Sequence, residues 1–293
     1  MILSNRRFAL LGVLLPLLSG IPAEAAGFDP APVARAVEDV EARLSARVGV
    51  AIIDTQSGRT WSNRGDERFP LNSTFKAFLC AALLDAAEKG TADSDRQVVV
   101  QESDIVSYSP VMEKHIGGKK FSIAELCEVT VTISDNAAAN LVMAELGGPD
   151  GVTAYLRRIG DDKTRIDRWE PESNTGIPGD ERDTTTPWAA ADTLRKLVLG
   201  DALDPQARAT LTSWLEGNKV GNATLRAGIP KGWRIADKTG AGANGSRNNI
   251  AVIWPEGRDP VVVAIYITQT TAAFQTRNKA IAEIGAALAE SVD

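Results

Sequence analysis

The sequence predicts a mixed α/β (α+β) fold: a five-stranded antiparallel sheet flanked by N- and C-terminal helices, plus an inserted all-helical lobe. Three observations carry this. Runs of β-type residues cluster near the two ends of the chain. The stretch between them is rich in Ala and Leu at helical spacing. The late β-type runs are also too close together for the crossover that parallel pairing requires. At 293 residues the chain exceeds the usual size of one domain, so one large domain or two intimately packed ones are expected.

The elements follow in order. Arg6 and Arg7 precede an apolar run from Phe8 to Leu18 and the small-residue site Ala23-Glu24-Ala25, the layout of a secretory signal cleaved near Ala25 or Ala26. The run is too short to span a bilayer. Residues 1–26 are therefore read as a signal peptide, by the Sec or the twin-arginine route, and the mature protein as exported: periplasmic or secreted. Val33, Val37, Val40 and Leu44 give a first helix one apolar stripe. Val48–Asp54 reads as a buried strand, turned by Gln56-Ser57-Gly58 into a partner at Arg59–Asn63. A helix over Asn72–Lys89 ends at Gly90. Further helices are expected at Ile123–Val129, Asp135–Leu146 and Val152–Ile159. Thr164–Asp183 carries Pro171, Gly176, Pro178 and Gly179 with no periodicity, and so long an irregular stretch signals function or disorder. Helices at Pro187–Leu199 and Pro205–Glu216 follow, then strands at Trp233–Thr239, Asn249–Trp254 and Val261–Thr268, and a last helix at Phe274–Leu288. This assigns 27–64 and 217–293 to a sheet lobe and 65–216 to a helical lobe that includes 164–183.

Composition narrows the chemistry. A charged fraction of 24% and a mean hydropathy of −0.11 exclude collagen, a disordered tail and a multi-span membrane protein. A pI near 5.1 gives no footprint for nucleic acid. One His and two Cys cannot build a multi-histidine metal site, a zinc ribbon or a disulfide scaffold. Catalysis must draw on Ser, Lys, Asp and Glu. Residues 1–26 hold two of the 32 basic and one of the 38 acidic residues, so their removal takes the net charge from −6 to −7. An oxidising compartment favours a Cys80–Cys127 disulfide, with two buried free thiols as the alternative. His115 is expected to be structural.

Three short motifs stand out. Ser73-Thr74-Phe75-Lys76 opens an Ala-rich helix, and its i, i+3 spacing puts a hydroxyl and an amine on one face, within hydrogen-bond reach. A serine there lies in the positive field of the helix N-terminus, and a neighbouring amine of lowered pKa can take its proton. Ser134-Asp135-Asn136 opens the next Ala-rich helix, where capping alone would explain it. Lys238-Thr239-Gly240 ends a strand, where a cation, a hydroxyl and a glycine can hold a carboxylate close to the backbone. Each motif alone is weak.

Together, in this order and 61 and then 104 residues apart, they resemble the penicillin-recognising serine enzymes. Arg168-Trp169-Glu170-Pro171-Glu172-Ser173-Asn174, followed by Asp180-Glu181-Arg182-Asp183, resembles the Ω-loop of class A β-lactamases in particular. The resemblance spans essentially all of the mature chain and implies a β-lactamase/transpeptidase-like fold. It implies Ser73 as nucleophile, Ser134 as proton relay to the leaving nitrogen, and Glu170 with Asn174 as holders of the deacylating water. Lys76 or, through water, Glu170 would deprotonate Ser73. The N–H groups of Ser73 and Ala241 would form the oxyanion hole. Lys238, Thr239, Gly240 and Arg247 would bind the substrate carboxylate, Asn136 its side-chain amide, and Tyr108 would wall the entrance. Arg168 and Asp183 would pair to close the loop. A monomer acting on small-molecule β-lactams is expected, without cofactor, metal, nucleic acid or stable membrane contact.

Three departures from the family pattern stand out, at four positions. Ser173 stands where Leu is usual, which could loosen the loop or be satisfied by a local bond. Ala241 stands where many members carry Ser or Thr. Asn72 and Gly242 stand where several carbapenem-hydrolysing members carry a cystine. Penicillins should therefore be hydrolysed well above cephalosporins, and carbapenems little. The alternatives are a D,D-peptidase or penicillin-binding protein and a non-hydrolysing β-lactam sensor. The Glu170–Asn174 constellation argues against both.

Overall fold

A computed structural model describes residues 27–292 together with Ile2. The predicted signal segment otherwise lies outside the described residues. Helix α1 (Ala31–Leu44) buries the predicted stripe of Val33, Val37 and Val40. It leads into β1 (Arg47–Asp54), β2 (Thr60–Asn63) and the two-residue β3 (Phe69–Pro70). A 3₁₀ turn at Asn72–Thr74 then opens α2 (Phe75–Glu88). A ribbon of β4 (Gln97–Val99) and β5 (Lys120–Ser122) precedes α3 (Ile123–Thr132), which starts with a capping box between Ser122 and Glu125. Next come α4 (Asn136–Glu145), capped by the Asp135 carboxylate, and α5 (Pro149–Arg158). Strand β6 (Thr184–Thr185) pairs back to β3. Then follow α6 (Pro187–Val198), α7 (Pro205–Glu216), the single turn α8 (Leu225–Gly228), β7 (Arg234–Ala241), β8 (Arg247–Trp254), β9 (Val261–Thr268) and α9 (Phe274–Val292).

The five long strands form one sheet in the order β2-β1-β9-β8-β7, antiparallel throughout. Alternation along β9 explains its unbroken apolar run. Val261, Val263, Ile265 and Ile267 enter the core shared with α1, α8 and α9, whereas Val262, Ala264 and Tyr266 enter the larger core beneath α6. Both faces are covered, so neither needs polar residues. Cys80 of α2 and Cys127 of α3 are joined by a disulfide, with their Cα atoms 5.6 Å apart.

The differences from expectation have local causes. Helix α5 starts at Pro149, three residues early, because proline suits a first helical position. Helix α9 runs on to Val292 with Leu288, Ala289 and Val292 buried. Strands β7 and β8 extend past the expected ends: Gly240 pairs with Asn248 and Ala241 with Arg247. The glycines predicted to begin a loop therefore lie partly within the ladder, where the partner strand supplies their hydrogen bonds.

Candidate active site

The Asn72–Thr74 turn is held from β8. The Asn248 amide donates to Pro70 O at 2.8 Å, to Leu71 O at 3.1 Å and to Asn72 Oδ1 at 3.0 Å. Asn72 has φ +45°, a conformation asparagine tolerates better than most residues. The Thr74 hydroxyl donates to Leu71 O, so the Tyr266 hydroxyl 3.3 Å away, from β9, is the donor to Thr74 Oγ1. Strand β7 runs alongside. A Cβ at Gly240 would come within 3.0 Å of Leu71 O and 3.2 Å of Ser73 N, so glycine lets the edge strand approach this closely without a neighbour giving way. Ser73 is thereby fixed at the positive end of α2, facing a cleft of about 580 Å³.

Ser73, Tyr108, Ser134, Asn136, Asn174, Thr239, Gly240, Ala241 and Arg247 all line this cleft. Lys76, Lys238 and Glu170 are buried beside it. The Lys76 ammonium donates to Ser134 O at 2.8 Å and to Asn136 Oδ1, and lies 3.1 Å from Glu170 Oε1. It does not hydrogen-bond Ser73, contrary to the i, i+3 expectation, because these stronger acceptors draw it across the helix face. Burial holds Lys76 below the usual lysine range, against the opposing pull of Glu170. Lys238 donates to Ser134 Oγ at 3.1 Å and to Thr239 O at 2.9 Å. Burial, reinforced by the charge of Lys76, pushes Lys238 well below that range. Ser134 thus faces two lysines, Lys76 at its backbone carbonyl and Lys238 at its Oγ.

Glu170 is presented by the segment 164–183. Its backbone is clamped by Asn140 of α4, which accepts from Glu170 N at 3.0 Å and donates to Glu170 O at 2.9 Å. Glu170 Oε2 accepts from Ser173 Oγ at 3.0 Å and from the Asn174 amide. Oε1 has the ion-pair contact to Lys76 but no donor in hydrogen-bond alignment. The two ends of the segment meet at Asp183, whose carboxylate accepts from Asp167 N at 2.8 Å, Arg168 N at 3.0 Å and Arg168 Nε at 2.5 Å. The β3–β6 pairing ties its exit to the strand that leads into Ser73. Across the cleft, Asp135 accepts from Val111 N and Met112 N while capping α4, and the Asn136 amide donates to Ser107 O at 2.8 Å. This fastens the loop bearing the exposed Tyr108. Arg247 donates to Asn278 Oδ1 at 2.6 Å and to Gly240 O at 3.0 Å, under the Phe274 ring. Its burial, with Arg277 nearby, lowers its pKa to about 10.

A serine at a helix N-terminus, two buried lysines and a buried carboxylate form an acyl-transfer constellation. Comparison with known proteins gives the family. The profile of the β-lactamase enzyme family matches residues 32–292. β-Lactamase AER-1 of Aeromonas hydrophila is 47% identical over 292 residues, 99% of this chain and 96% of that one. The chain belongs to the class A β-lactamase family. β-Lactamase CARB-3 of Pseudomonas aeruginosa is 48% identical over 85% of this chain and 86% of its own. Among solved structures, an ancestral (GNCA) class A β-lactamase superposes with a TM-score of 0.86 at 52% identity, covering 88% of this chain and 99% of that one.

Some residues of the β-lactamase cleft escaped sequence reasoning. Asn140 carried a usable signal, standing four residues after Asn136 on the same helix face. Asn248 and Asn278 carried none, since their partners are distant in the chain. His115 does not line the cleft and packs edge-on against Phe121.

Proposed function

We propose that the protein hydrolyses the β-lactam amide of penicillins, and cephalosporins more weakly, conferring β-lactam resistance. Ser73 attacks the carbonyl and the Lys76–Glu170 pair takes its proton. The oxyanion rests on the N–H groups of Ser73 and Ala241, each such donor contributing about 3 kcal/mol to transition-state stabilisation. Ser134, held by Lys238, passes a proton to the departing ring nitrogen. Lys238, Thr239 and Arg247 bind the substrate carboxylate, Asn136 its side-chain amide, and Tyr108 walls the entrance. Glu170, with Asn174, then activates the water that cleaves the acyl-enzyme. The observation that carries this reading is the buried carboxylate of Glu170, 3.1 Å from a lysine one helical turn beyond the nucleophile. A bare acylating serine has no need of it.

The reading extends to the rest of the chain. Residues 27–64 and 217–293 form a sheet lobe and 65–216 a helical lobe, with substrate taken up between them. The protein is exported, in keeping with its disulfide. Among the described residues no helix is long and apolar enough to cross a membrane.

The test is intact-mass spectrometry after mixing with benzylpenicillin. The parent returns to its free mass, whereas Glu170→Gln remains acylated; normal turnover by that variant would overturn the assignment. The spectrum is tested separately. Ala241 has no hydroxyl to offer the carboxylate of cephalosporins and carbapenems, so kcat/KM for benzylpenicillin should exceed that for imipenem by at least about a hundredfold, the scale of one or two lost hydrogen bonds. Equal values would sink the preference.

A further inference from the structure

We propose that Ser173 is a positioning residue for the hydrolytic half of the reaction: its hydroxyl locks the Glu170 carboxylate so that Oε1 is left to the water. This rests on the reading of Glu170 as the group that activates that water. Ser173 and Asn174 lie three and four residues beyond Glu170, in a 3₁₀ turn closed by Ser173 N to Trp169 O and Asn174 N to Pro171 O, both at 3.0 Å. That turn aims both side chains at Glu170 Oε2.

An ionised carboxylate only accepts, so the Ser173 hydroxyl must be the donor. Ser173 is 3% exposed, and among the described residues its Oγ has no other partner. Its proton is committed to Glu170. The last torsion of a glutamate is broad and easily turned. One donor leaves the carboxylate freer to pivot about that contact than two donors on the same oxygen do. Oε1 then keeps its place beside Lys76 without a donor of its own. The polar residue in an otherwise apolar slot is thus satisfied, and the loop is not loosened by it.

The experiment measures acylation and deacylation rate constants separately, by quenched-flow mass spectrometry with benzylpenicillin, for the parent, Ser173→Ala, Ser173→Leu and Glu170→Gln. Ser173→Ala and Ser173→Leu should both lower the deacylation rate about tenfold, as expected for a reacting group displaced by a fraction of an ångström. Acylation should stay within about twofold, so that kcat and KM fall together. Deacylation by Ser173→Ala within twofold of the parent overturns the proposal. So does restoration of the parental rate by Ser173→Leu alone, since filled space and not the hydroxyl would then be what matters. If Glu170→Gln accumulates acyl-enzyme while Ser173→Ala is unaffected, only the role of Ser173 falls. Normal turnover by Glu170→Gln removes the reading beneath it.

Discussion

Lys76 and Lys238 are both fully buried, yet their surroundings differ in kind. Lys76 has a carboxylate at 3.1 Å to offset its desolvation. Lys238 has Lys76 as a repulsive neighbour, and the carboxylate behind it, Asp237, is already engaged by Arg226, Asn218 and Asn249. The consequence for pH has a definite sign. Lys238 loses its proton as pH rises through a value well below the ordinary lysine range, and an anionic substrate then loses a charged partner. KM for benzylpenicillin should therefore climb on the alkaline side earlier than a free lysine would dictate. Lys238→Arg keeps its charge at every accessible pH, so the alkaline limb of kcat/KM should move to higher pH. A pH–rate profile checks this, and identical limbs would assign the limb to another group. At this scale the residues of the three motifs were legible because the order and spacing of the motifs together resemble a known family, whereas the contact expected from the short spacing of Ser73 and Lys76 is not made. The bonds that hold them were not, because Asn248 and Asn278 reach their partners only through tertiary folding.

The segment 164–183 was legible as an element by its Pro and Gly content, while the role of Glu170 within it came only through family resemblance. The structure adds the reason the element holds its shape. Its two ends are joined by crossed hydrogen bonds, with Asp183 accepting from Asp167 N and Arg168 N, and Asp167 accepting from Asp183 N. Asp183→Ala would strand two N–H donors and the Arg168 guanidinium around a buried site. The cost should be about 2–4 kcal/mol of stability, as for a buried pair robbed of one partner. Denaturant unfolding measures it, and deacylation should slow more than acylation because Glu170 is the passenger of this loop. A loss below about 0.5 kcal/mol would mean that the β3–β6 pairing alone holds the loop closed. Besides the moved ends of α5 and α9, what escaped prediction was of two kinds. The two-residue strands, the 3₁₀ turns and α8 are too brief to carry a period, and the overlong ends of β7 and β8 depend on a partner strand.

At the scale of the molecule, the sheet order β2-β1-β9-β8-β7 was only half legible. Antiparallel pairing followed from the short connections, but nothing local says that β9 enters between β1 and β8. That placement makes β9 the sole link between the N-terminal pair β1–β2 and the C-terminal pair β7–β8, matched to β1 along its whole length from Arg47↔Thr268 to Asp54↔Val261. It also supplies Tyr266 beneath the turn that carries Ser73. On the ribosome, every residue assigned to the chemistry, from Ser73 to Arg247, has been synthesised before β9 exists. A chain halted at residue 260 would hold the complete reactive inventory and only two unlinked strand pairs to arrange it. Such distant pairing also folds slowly. Antibiotic hydrolysis by this protein therefore reports translation through β9, and nonsense mutations ahead of that strand should be as silent in a resistance assay as loss of the nucleophile itself.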